Sequence, residues 1–110
     1  MGAKKTIVLP KTEKILERMG GQIKLARLRR NLSMRQISER ANISRTTLWQ
    51  VEKGSPSISI GTYAAVLQAI GNCDTELLKI LEEDELGRTI QDLGIITPKR
   101  GRRWKTYICF

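Results

Sequence analysis

The stretch SMRQISERANISRTTLWQVEKG, residues 33–54, holds two short helical patterns joined by a turn too tight to be a linker. Ser33 followed three positions later by Gln36 is a capping-box start: the hydroxyl takes a free backbone N–H of the first turn and the amide reaches back. That opens a helix at about Met34. Ile37 and Ala41 share one face while Arg35, Glu39 and Arg40 point elsewhere, so the segment is amphipathic and about two turns long. Asn42 ends it, because Asn tolerates the left-handed conformation, and Ile43 then offers an apolar plug between the two helices. Ser44 caps the second helix, Leu48 and Val51 face inward from it, and Gly54 stands just past its end.

The outer surface of the second helix is the informative one. Arg45, Thr46, Trp49, Gln50 and Lys53 are long or hydrogen-bonding, and the first two sit in the first turn, where a recognition helix reaches base edges. A solvated helix face is the plain alternative. A two-helix unit with so short a turn has few uses besides docking a helix in a groove, and the stretch reads as a helix-turn-helix.

It resembles the helix-turn-helix of the phage-repressor or XRE family, whose usual pattern is Ser-Arg-x-Thr-aliphatic after the turn and an apolar-Glu-x-Gly ending. Ser44, Arg45, Thr47, Leu48, Val51, Glu52 and Gly54 match that pattern in place. Two positions depart from it. Met34 stands where the family commonly has Gln, so the amide contacts of that Gln do not carry over. Trp49 stands where a small residue is usual, and it suits either a thymine methyl or sugar edge, or packing elsewhere in the protein. The resemblance implies an all-α, lambda-repressor-like domain of about five helices. It also implies that Glu52 pairs with an Arg of the first helix, at the position matched by Arg27, as a structural ion pair costly to break from one side.

Bulk properties agree with a polyanionic partner. The chain has 110 residues, enough for one small domain, and 20 Lys and Arg against 11 Asp and Glu give a formal net charge of +9. Nucleic acid is the first expectation and an anionic membrane surface the second. No apolar run approaches the ~18 residues needed to span a bilayer, and Lys4 and Lys5 precede no signal-peptide core. A cytoplasmic protein without a membrane partner is expected. Cys73 and Cys109 have no metal-ligand spacing. Histidine is absent, which removes the commonest general base, and with no phosphate-cradling glycine loop no catalytic constellation can be assembled. The expectation is a non-enzyme with no cofactor and no metal.

Outward from the motif, residues 1–11 read as an N-terminal arm, residues 12–93 as the helix-turn-helix domain and residues 94–110 as a basic tail. Thr12 starts a long first helix, with Ile15, Leu16, Met19, Ile23 and Ala26 at helical spacing to about Asn31. Gly20 and Gly21 predict a kink or a break in it. After Gly54, a Pro56-containing loop leads to Ser59, which caps a helix through about Ile70 with Tyr63, Val66, Leu67 and Ile70 on one face, ended by Gly71. Asp74 is expected to cap a further helix with Leu77, Leu78 and Leu81 inward, and Asp84 to open a short one carrying Leu86, Ile90 and Leu93. This acidic, leucine-rich region is the natural site for a second subunit or protein partner. The TIVL run near the start and the TYICF ending have strand-like composition, compatible with short terminal β-strands.

The function expected is a sequence-specific, double-stranded-DNA-binding transcriptional regulator, a repressor. Arg45, Thr46, Trp49 and Gln50 are the base-contact candidates, with Arg45 matched to guanine. Ser33, Arg35, Lys53, Ser55 and Ser57 are the phosphate candidates. One helix reads few base pairs, so a homodimer on two half-sites is expected. A finer resemblance covers Ser55 to Arg100: GSPSISIGTYAAVLQAIG, DELGRTIQDLG and PKR look like the HipB-type antitoxins, small regulators encoded beside HipA-type kinase toxins. That resemblance implies a HipA-type kinase toxin as partner. The rivals are an autonomous XRE-type repressor and a non-specific nucleic-acid-binding protein.

Overall fold

The computed structural model describes residues 6–94. Five α-helices, α1 (Pro10–Arg29), α2 (Met34–Ala41), α3 (Arg45–Glu52), α4 (Ile60–Gly71) and α5 (Glu85–Leu93), are joined by short loops and one 3₁₀ helix, Cys73–Lys79. There is no strand among the described residues, and the fold is all-α, consistent with a lambda-repressor-like helix-turn-helix domain. The chain divides into two compact units, Met1–Leu77 and Leu78–Phe110.

In the first unit, α1 starts at Pro10, not at Thr12: proline at the first helical position lacks an N–H that would be unpaired there anyway. The helix then runs unbroken through Gly20 and Gly21, against the expected kink. Gly20 is buried for a packing reason. A β-carbon on it would lie 2.5 Å from the backbone nitrogen of Gly54 and 2.7 Å from the carbonyl oxygen of Glu52, so the backbones of α1 and the end of α3 touch directly. Ile15, expected on the inner face, stays exposed, whereas Met19, Ile23 and Ala26 join the core.

Three helices end in the same closure. Asn31, Asn42 and Gly54 take positive φ, and the next N–H in each case returns to a carbonyl five residues back: Leu32 to Arg27 at 3.2 Å, Ile43 to Ser38 at 2.9 Å, Ser55 to Gln50 at 3.0 Å. This is the hydrogen bond of a Schellman ending, which satisfies carbonyls the helix leaves open. The helix starts are equally local. The Ser33 and Gln36 capping box is present in both directions, 3.1 and 2.8 Å, and the Ser44 and Ser59 hydroxyls accept from the N–H groups of Thr47 and Thr62.

The core is built by Ile23 of α1, Ile37 of α2, Leu48 and Val51 of α3, and Tyr63, Val66, Ala69 and Ile70 of α4. Ile37, Leu48, Val51 and Val66 are fully buried, each worth about 1.5–3 kcal/mol relative to exposure. Met34 and Ile43 pack partly against this cluster, so Met34 serves the core at a position where the related pattern carries an amide.

Helix α4 includes Gly71, and the left-handed residue that closes it is Asn72 in place of the expected Gly71. The segment after it differs more from expectation. Instead of an α-helix capped by Asp74 there is a 3₁₀ helix, Cys73–Lys79, with no buried residue, and Leu78 and Leu81 are exposed. Leu81 itself has φ 56°, which interrupts any continuous helical face. In the second unit, the Asp84 carboxylate accepts from the N–H of Gly87 at 3.2 Å and opens α5 as expected. A β-carbon at residue 87 would collide with that carboxylate. Leu86 and Leu93 on α5 are exposed. Of the expected terminal strands, residues 6–9 carry no regular structure, and TYICF lies outside the described residues, as does the basic run of residues 98–105.

Candidate nucleic-acid interface

Helix α3 has two unlike sides. Leu48, Val51 and Glu52 are buried, while Arg45, Thr46, Trp49 and Lys53 are exposed and Gln50 is half-buried. The split follows from helical spacing: residues 45, 49 and 53 succeed one another at intervals of four along one strip, with 46 and 50 beside them. Arg45 and Thr46 make no side-chain hydrogen bond or ion pair among the described residues, so the donors at the start of α3 stay open to an external acceptor. The capping hydroxyl of Ser44, 2.9 Å from that of Thr47, fixes this first turn.

Trp49 remains 54% exposed, the largest aromatic surface on this strip. Among the described residues it is not part of the core cluster. Its one described ring contact is the Lys53 ammonium, 5.2 Å from the ring centroid.

Polar groups lie on the elements before and after α3. Ser33 caps α2, and its hydroxyl still has a proton to donate while accepting from Gln36. Arg35 is exposed and bonded to Glu39 at 3.2 Å, an i,i+4 surface pair of the kind worth about 0.3–0.5 kcal/mol. Ser55 follows α3 directly. Its hydroxyl accepts from the Ser57 N–H at 3.2 Å, and its carbonyl accepts from the Tyr63 hydroxyl at 2.7 Å.

The buried charges are paired. Arg27 Nε donates to Glu52 Oε2 at 2.6 Å and Nη2 to Oε1 at 3.2 Å, while Nη1 donates to the Leu32 carbonyl at 2.9 Å. Both side chains are more than nine-tenths buried. The planar guanidinium therefore joins α1, the turn after α1 and the last residue of α3, a three-way bridge that only a forked, always-charged donor can make.

Two further residues position the end of α3 and a third ties α2 to α4, and the sequence carries little signal for them. Tyr63 pegs the loop after α3, and burial pushes its phenol above the ordinary value of 10.0. Arg40 of α2 donates to the Ala69 carbonyl of α4 at 3.2 Å. Gly20 admits the end of α3. A tyrosine on a buried stripe must place its hydroxyl somewhere, which is the one available signal for Tyr63; the other two depend on tertiary approach and leave none.

Among the described residues no group of His, Cys, Asp and Glu is arranged to hold a metal ion, and no helix is long and apolar enough to cross a membrane. No curated protein matches the chain. The family model of the helix-turn-helix domain matches residues 18–79. That span opens within α1 and runs through the two capped helices and α4, and it is consistent with an XRE-like family and with DNA binding. It covers more than half of the sequence, and the chain belongs to the helix-turn-helix domain family.

Proposed function

We propose that the protein is a sequence-specific, double-stranded-DNA-binding transcriptional repressor that lays α3 in the major groove. The observation that supports this most directly is the exposed strip of Arg45, Thr46, Trp49 and Gln50, opposite the buried Leu48 and Val51. The Arg45 fork suits the O6 and N7 acceptors of guanine, and Thr46, Trp49 and Gln50 read neighbouring positions. Ser33, Arg35, Lys53, Ser55 and Ser57 are assigned to phosphates. The weak surface pair of Arg35 with Glu39 leaves that guanidinium available to an incoming phosphate.

A reader of one short helix needs a second copy. The protein acts in this proposal as a cytoplasmic homodimer, with two α3 helices on half-sites about 34 Å apart. Residues 12–93 form the working domain, and the basic residues of the arm (1–11) and the tail (94–110) add sequence-independent attraction to the duplex. Within this reading the chain is the antitoxin of a HipA-type toxin-antitoxin operon, holding the kinase toxin through its acidic, leucine-rich end. The support is the resemblance of residues 54–71, 84–94 and 98–100 to HipB-type regulators.

Selection from a randomised duplex pool tests the first part. Enriched sequences should contain two-fold related half-sites. Arg45→Ala should cost about 1–3 kcal/mol at the enriched site and relax preference at one base pair; equal loss on all duplexes would make Arg45 a phosphate contact. The neighbouring reading frame tests the second part. Co-purification with a kinase-like product of that frame supports the antitoxin, and a neighbour of another kind leaves an autonomous repressor.

A further inference from the structure

Two exposed side chains of α3 are not independent of each other. Lys53 follows Trp49 by one helical turn, and its ammonium sits over the indole at 5.2 Å, inside the ~6 Å range in which a cation is held by an aromatic face. Trp49 is nonetheless 54% exposed. An unheld tryptophan on a surface samples several rotamers and gives that freedom up on binding. A cation resting on one face restricts it in advance, which is preorganisation of a contact group.

What the held indole can recognise follows from its chemistry. It has a single N–H donor and otherwise offers apolar area. The apolar group by which one base pair differs from another in the major groove is the 5-methyl of thymine. We propose that Trp49 and Lys53 work as one unit, the indole reading a thymine methyl and Lys53 acting as the positioning residue that holds it there. This rests on the reading of α3 as a major-groove helix, and it replaces the phosphate contact assigned to Lys53 above with a positioning role.

The pair is tested first in the free protein by NMR. The ε-methylene protons of Lys53 should be shifted upfield by the ring and return to ordinary positions in Trp49→Leu; an unshifted Lys53 overturns the pairing. The second arm uses a duplex enriched by the wild-type protein from a randomised pool, with each thymine singly replaced by deoxyuridine. One thymine per half-site should show about a fourfold loss, the worth of one buried methyl group. In Lys53→Met, binding to the unmodified duplex should fall about two- to fivefold. The thymine-over-uracil ratio should shrink toward one, and Lys53→Arg, which also stacks on aromatic faces, should restore it. Equal losses on thymine and uracil duplexes, with the salt slope reduced by about 0.9, would make Lys53 a phosphate contact and overturn the proposal. Enrichment of sequences with no methyl-sensitive thymine overturns it while leaving the groove-reading helix intact, whereas a pool with no enriched sequence removes both.

Discussion

At the scale of single residues, the Arg27–Glu52 bridge holds the last residue of α3 and the Tyr63 peg holds the loop that follows it. Glu52→Ala strands a buried guanidinium and should cost about 3–5 kcal/mol, read as a lower urea midpoint. An unchanged melt with weakened DNA binding would instead place Glu52 in the interface. Tyr63→Phe removes the 2.7 Å bond to the Ser55 carbonyl and should cost about 1 kcal/mol. It should also change the alkaline limb. Below about pH 10 the phenol is protonated in both states and contributes no slope; above it the unfolded chain gives up that proton while buried Tyr63 keeps it. Stability therefore falls as pH rises toward the folded value. Urea midpoints at pH 8 and pH 10.5 check this, and the Phe variant should lose less between the two than the wild type does.

At the scale of elements, adjacent glycines of α1 make opposite predictions. Gly21 has open space where a β-carbon would go, so Gly21→Ala should stabilise by about 0.5–1 kcal/mol through helix propensity alone. Gly20→Ala gains the same propensity but drives a methyl into the backbone of residues 51–54, and it should destabilise, as thermal unfolding of the two variants will show. The turns and caps are legible in the sequence because those signals are local: Ser33 with Gln36, Asn42, Ser44, Gly54 and Ser59 each act within a few residues. Gly20 misleads for the complementary reason. Its partner Gly54 is far along the chain, and a glycine that costs helix stability looks the same as one that admits a neighbour. The stretch after Asp74 misleads because a leucine-rich, charge-flanked run satisfies helical spacing whether or not anything covers it, and Leu78 and Leu81 are uncovered.

At the scale of the whole molecule, charge is unevenly divided along the sequence. Residues 78–94 hold Glu82, Glu83, Asp84, Glu85 and Asp92 against Lys79 and Arg88, while residues 95–110 hold Lys99, Arg100, Arg102, Arg103 and Lys105 with no acid. Removing residues 98–110 should flatten the salt dependence of duplex binding by a slope of about 0.9 for each phosphate no longer neutralised, with preference among duplexes retained. Disappearance of that preference in the same titrations would make the tail part of the reader or of the dimer. The outward strip of α3 is legible residue by residue, since helical spacing separates it from Leu48 and Val51. That Lys53 covers the Trp49 ring is not, because spacing brings the two within reach without choosing their rotamers.

The direct backbone contact of α1 with the end of α3, where no side chain intervenes between Gly20 and Gly54, leaves α3 no bearing on which to turn. Side-chain cushions yield by changing rotamer, whereas two abutting main chains do not. A rolling adjustment of α3 to a poorly matched site would have to carry the twenty residues of α1 with it. Accommodation then falls to the duplex, whose bending and twisting cost depends on its own sequence. A helix mounted this stiffly would discriminate among operators partly at base pairs that it never touches.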